Sequence, residues 1–168
     1  ALLLDYGADI NARTDVWSKI EGISPHPILE NQRAFLHGGS TAMMFAARVG
    51  DLESAKLLVA AGANVDDTDA WGMSAVALAA FSNAGDVVQY LLAEGANPNP
   101  PAIEEVLAPL PSAIMHHDAQ TVAALLRHGA DPNAPLRAWT ARVRSSEGPG
   151  RWYNYHPSTV GAPPLWIA

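Results

Sequence analysis

The chain alternates apolar stretches with polar breaks, and four of the breaks are spelled almost alike. They are "LLLDYGADIN" (Leu2–Asn11), "LLVAAGANVD" (Leu57–Asp66), "LLAEGANPN" (Leu91–Asn99) and "LLRHGADPN" (Leu125–Asn133). Each reads as the end of an apolar helical face that closes on Gly-Ala-Asn or Gly-Ala-Asp. Gly7, Gly62, Gly95 and Gly129 stand where a helix must stop by turning left-handed, which glycine does without a Cβ penalty. Gly62, Gly95 and Gly129 follow one another at a nearly constant interval of about 33 residues. A period of that size predicts a stacked array of helical units in place of one closed globule.

The stretch before each glycine repeats as well. "STAMMFAARVGDLESAKLLVAAGA" (Ser40–Ala63) predicts a helix of small and apolar residues, a break near Gly50-Asp51, then a second apolar helix. "MSAVALAAFSNAGDVVQYLLAEGA" (Met73–Ala96) follows the same plan one period later. Ala46, Ala47, Ala79 and Ala80 predict close approach of the paired helices, with the bulky packing carried by the second helix. Around the third unit, Pro100, Pro101, Pro109 and Pro111 suit the first turn of a helix and not its middle.

These residues resemble the ankyrin repeat, with its Thr-Pro-Leu-His-x-Ala-Ala opening and Gly-Ala-Asp-x-Asn close, over roughly three-fifths of the chain. The resemblance implies an all-α, helix–turn–helix solenoid. The tetrad departs from the family pattern: Thr41-Ala42-Met43-Met44, Ser74-Ala75-Val76-Ala77 and Ala108-Pro109-Leu110-Pro111 stand in its place. The family's histidine, which ties neighbouring units by hydrogen bonds, is missing each time, so apolar packing is expected to do more of the coupling. "GAPPLWIA" (Gly161–Ala168) resembles the start of a further unit, and Ala1 enters in the middle of a second helix. The chain therefore reads as a fragment of a longer ankyrin-repeat protein, its uneven units resembling bacterial ones. Fraying or self-association is expected at the truncated ends.

Two long finger insertions interrupt the array. The step from the capping Gly62 to Ser74 is short, whereas the steps from Gly7 to Thr41 and from Gly129 to Pro163 are far longer and equal to each other. Asn11 and Asn133 are each followed at the same offset by a tryptophan, Trp17 and Trp139. The two insertions are read as related decorations, and "AWTARVRSS" suggests one strand of a finger hairpin. The expected order is the end of a truncated repeat (1–12), a finger insertion (13–38), repeats at 39–69 and 70–99, and a degenerate repeat at 100–133. A second finger insertion (134–160) and the start of a truncated repeat (161–168) follow.

Composition narrows the chemistry. The chain has 168 residues, 49% of them hydrophobic, and a net charge of −7, which argues against broad nucleic-acid binding. There is no cysteine, so thiolate metal sites, disulfides and cysteine nucleophiles are excluded. No apolar run approaches the roughly 20 residues that span a bilayer. "GMSAV" (Gly72–Val76) lacks the last glycine of a nucleophile elbow, and "GPGRWY" (Gly148–Tyr153) lacks the third glycine and the lysine of phosphate loops. His116-His117-Asp118 falls on a turn with no third ligand at useful spacing, so no metal site is expected. Asp9, Asn64, Asn97 and Asp131 are expected to be turn residues.

Two candidate surfaces remain. In the ankyrin pattern Trp71, Met73 and Phe81 face the concave groove that family members use for partners. They are either open apolar anchors or covered by a long insertion folding back. In the second insertion, Trp139, Arg142, Arg144 and Trp152 combine arginine with aromatic rings, fit for an acidic partner or for stacking on the finger itself. The expected function is a non-catalytic protein–protein interaction scaffold with no cofactor. Two alternatives are a docking or regulatory arm of a larger enzyme or redox protein, and anion or nucleic-acid binding through the Arg-rich finger.

Overall fold

The computed structural model describes residues 5–22, 32–100 and 108–133. An antiparallel hairpin of β1 (Trp17–Gly22) and β2 (Gln32–His37) is followed by three helix pairs. These are α1 (Ala42–Val49) with α2 (Leu52–Ala60), α3 (Ala75–Phe81) with α4 (Gly85–Ala93), and α5 (Pro109–Met115) with α6 (Ala119–Arg127). The first helices stack in the row α1–α3–α5 and the second helices in the row α2–α4–α6. Residues 134–168, including the second insertion and its suggested strand, lie outside the described residues, as do 1–4, 23–31 and 101–107.

Local sequence sets each boundary. The Asp51 carboxylate accepts from Ser54 N at 3.0 Å to start α2, and Ser74 Oγ accepts from Ala77 N at 3.3 Å to start α3. Pro109 begins α5 at a position where the missing N–H costs nothing. At the far ends the same closure recurs: Gly62 N donates to Val59 O and Ala63 N to Leu58 O, and the residues at Gly95 and Gly129 repeat it. The turn inside each pair also places one left-handed residue at a constant position, Gly50, Asn83 and His117.

The core runs along both rows, and here the packing differs from the sequence expectation. Bulk is not confined to the second helices. Met43 and Met44 of α1 and Val76 and Leu78 of α3 are buried beside Val87, Val88, Leu91 and Leu92 of α4. The reason is position: α3 packs on α1, α4 and α5 together, so every residue from Ala75 to Ala80 is covered. In α2 only Ala55 is buried. Each fully buried Leu, Val or Met contributes about 1.5–3 kcal/mol, so α3 and α4 form the most strongly held pair.

Polar coupling between units is also present, without the family's histidine. Asp66 Oδ1 accepts from Asn97 N at 2.8 Å, and Asn99 Oδ1 accepts from Asp131 N at 2.9 Å. Asn99 Nδ2 donates to Gly129 O at 2.9 Å, and His116 Nε2 lies 2.8 Å from Phe81 O. Asp9, Asn64, Asn97 and Asp131 each accept from the backbone N–H two residues on. The turn role read from the sequence and the ladder between turns are one device: a side-chain oxygen fixes each turn, and the next asparagine or aspartate reaches the neighbouring one.

Candidate functional site

The β1–β2 hairpin, where the first finger insertion is expected, and the first helices enclose a groove of about 700 Å³. Its stem is narrow. Thr14 N donates to Ser40 O and Gly39 N to Thr14 O, both at 3.0 Å. A Cβ on Gly38 would collide with the Asp15 carbonyl oxygen, and Gly38 has φ +88°, so only glycine lets the returning strand cross Asp15 this closely. Arg13 locks the stem to the next turn through Asp67 at 2.8 Å and the Thr68 carbonyl at 2.8 Å.

That stem carries the aromatic wall. Trp17 stacks on His37 with ring centroids 4.5 Å apart and planes at 20°. His37 in turn meets Trp71 at 5.3 Å and 44°. Trp71 is held by the short turn before α3, where Asp69 Oδ1 accepts from Trp71 N at 2.8 Å and Met73 N at 2.9 Å. The same groove is lined by Phe45 and Arg48 of α1 and Leu78 and Phe81 of α3. These occupy equivalent places in consecutive units, Phe45 with Leu78 and Arg48 with Phe81, each pair one repeat period apart. Trp17 is 54% and Phe45 49% exposed.

The sequence of the helical region decides the family. A sequence model described as "Ankyrin repeats (3 copies)" matches residues 21–102 and 43–135. The chain belongs to the ankyrin-repeat family. Ankyrin repeats in general are non-catalytic modules that mediate protein–protein interactions. No curated protein matches the chain.

On this ankyrin array the candidate residues separate. Trp71 and Phe81 are half-buried and line the groove together with Met73. Met73 is only 5% exposed and belongs to the core, so of the two readings, open anchor or covered, it is covered while still lining the groove. The finger neither leaves the groove bare nor closes it: His37 covers part of Trp71 while Trp17, Phe45 and Phe81 stay accessible from the cavity. Trp139, Arg142, Arg144 and Trp152 lie outside the described residues. Trp17 is visible in the sequence as a finger tryptophan, but its partner His37 is not. The repeat period could have found Phe45 and Arg48, since it carries Leu78 and Phe81 back by one unit.

Two further depressions lie on the described surface. One of about 600 Å³ lies between Ala8–Ile10 and the Phe45, Val49, Leu57 and Leu58 side chains. The other, about 380 Å³, is polar and follows the inter-helix turns from Gly50 to Gln120. In it the Thr121 hydroxyl and the Gln120 and Thr121 amides donate to Asp118. The Thr121 hydroxyl first, then these amides and nearby His116, hold the Asp118 carboxyl below its ordinary value against the opposing effect of burial. His116 and His117 lie on that turn, and no group of three metal-ligating side chains occurs among the described residues. Among the same residues no helix is long and apolar enough to cross a membrane.

Proposed function

We propose that the chain is a protein-interaction scaffold whose binding surface is the groove between the first finger and helices α1 and α3. The observation that carries this reading is the aromatic lining: exposed Trp17 and Phe45 and half-buried Trp71 and Phe81 converge on one cavity. Large aromatic side chains at the centre of a concave surface are the residue types whose truncation most weakens binding, by roughly 2 kcal/mol or more. Trp71 and Phe81 act as the inner anchors, Trp17 and Phe45 as the outer ones, and Met73 supports them from below. Trp139, Arg142, Arg144 and Trp152 form a second, basic and aromatic patch in the same proposal, supported by their sequence pattern. The test compares capture of proteins from native lysate by the wild-type chain and by Trp17→Ala/Phe45→Ala, with helicity checked by circular dichroism. Both side chains are about half exposed, so the fold should survive. A partner retained by the wild type and lost by the folded variant is expected; equal capture would refute the assignment.

A further inference from the structure

The charge around this groove specifies its occupant. The acids Glu30, Glu104, Glu105 and Glu147 and the bases Arg137, Arg142, Arg144 and Arg151 lie outside the described residues and cancel. The whole net charge of −7 therefore belongs to the described residues, and it sits on the repeats, because the described finger sets Arg13, Lys19 and Arg33 against Asp15 and Glu21. Within the groove Asp15 and Asp69 stand against a single guanidinium, Arg48. Asp15 is exposed. Asp69 spends one oxygen on the Trp71 and Met73 amides. Arg13, the base at the stem, is already paired with Asp67.

Aromatic faces supply the second half of the recognition. Trp17 gives one face to His37, and about half of the residue, 54%, stays exposed. Such a ring beside a carboxylate attracts cations, and a planar guanidinium best of all, because it stacks flat while its edge donates to the carboxylate. A partner rich in acids would be repelled by the acidic repeats that carry the groove.

Resting on the groove reading above, we propose that the occupant is an extended basic segment of another protein, with an arginine side chain stacked on Trp17 and paired with Asp15. Phe45 and Phe81 take the apolar stem of that side chain and its neighbours. The chain's own Arg-rich stretch, a free lysine-rich segment and diffuse attraction to an acidic surface are the competing explanations.

Titration calorimetry on the full chain with acetylated deca-arginine, deca-lysine and deca-glutamate separates them. Deca-arginine should bind, deca-lysine more weakly and deca-glutamate not at all. Trp17→Ala and Asp15→Asn should each weaken deca-arginine by about five-fold or more, while Asp86→Asn, an exposed carboxylate on α4, changes it less than about two-fold. Equal losses from Asp15→Asn and Asp86→Asn, or equal affinity for arginine and lysine, would mean diffuse attraction and overturn the proposal. So would binding seen only after Arg137, Arg142, Arg144 and Arg151 are changed to Gln, since the chain's own segment would then be the occupant. If no peptide binds but Trp17→Ala/Phe45→Ala still loses a captured partner, the arginine assignment falls and the groove reading stands.

Discussion

Gly85→Ala should destabilise the array although it places alanine in a helix. Gly85 opens α4 with ordinary helical geometry, and replacing a helical glycine normally gains about 0.5–1 kcal/mol. At this site an added Cβ would lie 2.6 Å from Thr121 Oγ1 and 2.7 Å from Asp118 Oδ2. Overpacking of this kind costs about 1–3 kcal/mol, and pushing Asp118 away weakens the cap of α6, typically about 1 kcal/mol. The balance is a net loss of about 2 kcal/mol, or a fall in Tm of about 4–8 °C for a domain of this size. Urea unfolding followed by far-ultraviolet circular dichroism measures it. Asp118→Ala removes one of the two obstacles, so Gly85→Ala should cost measurably less in that background. A Gly85→Ala chain as stable as wild type, or a double-mutant cycle with no coupling, would refute the close packing of Asp118 over α4.

Equivalent cap positions should respond oppositely. Ser74→Ala removes the bond to Ala77 N and should cost about 1 kcal/mol. Thr41→Val should be neutral or stabilising, because Thr41 Oγ1 is buried with no hydrogen-bond partner; urea midpoints of the two variants decide it. Acid should loosen the turns between paired helices. Asp51, through the Ser54 hydroxyl and amide, and Asp118, through Thr121, are both held below the ordinary value of 3.8. A depressed folded pKa means that the stabilisation is present above the ordinary value and is lost as pH falls through the lower folded values. The Asp51→Asn/Asp118→Asn chain should therefore lose less stability than wild type on acidification from about pH 5 to about 2, as read by thermal melts. Equal losses would contradict the caps' titration.

The helices are legible in the sequence because they repeat. Gly62, Gly95 and Gly129 end helices by one local rule, and a rule applied once in every unit stands out from composition alone. Pro109 and Asp51 mark helix starts for similarly local reasons. The groove is less legible, because it depends on which residues the finger brings across the array. Trp17 and His37 meet through the hairpin register, and His37 reaches Trp71 across the whole of the first helix pair. Spacing within one repeat cannot reveal such a contact. For Met73 the repeat pattern leaves an open and a covered reading, and the structure covers it beside the turn where Asp69 Oδ1 accepts from its backbone N–H. The inter-unit ladder is half visible: Asn64, Asn97 and Asp131 read as turn residues, whereas the side chains that reach the neighbouring turn belong to Asp66 and Asn99, which do not.

Site-specific photo-crosslinking tests the binding groove most directly. A benzophenone amino acid at Phe45, inside the groove, is compared with one at Leu126, an exposed apolar position on α6, during incubation in native lysate. A discrete protein adduct from Phe45 that is absent from Leu126 and lost with Trp17→Ala is the expected result. Adducts of equal yield from both positions, or from Leu126 alone, would contradict a partner seated between the first finger and the first helices.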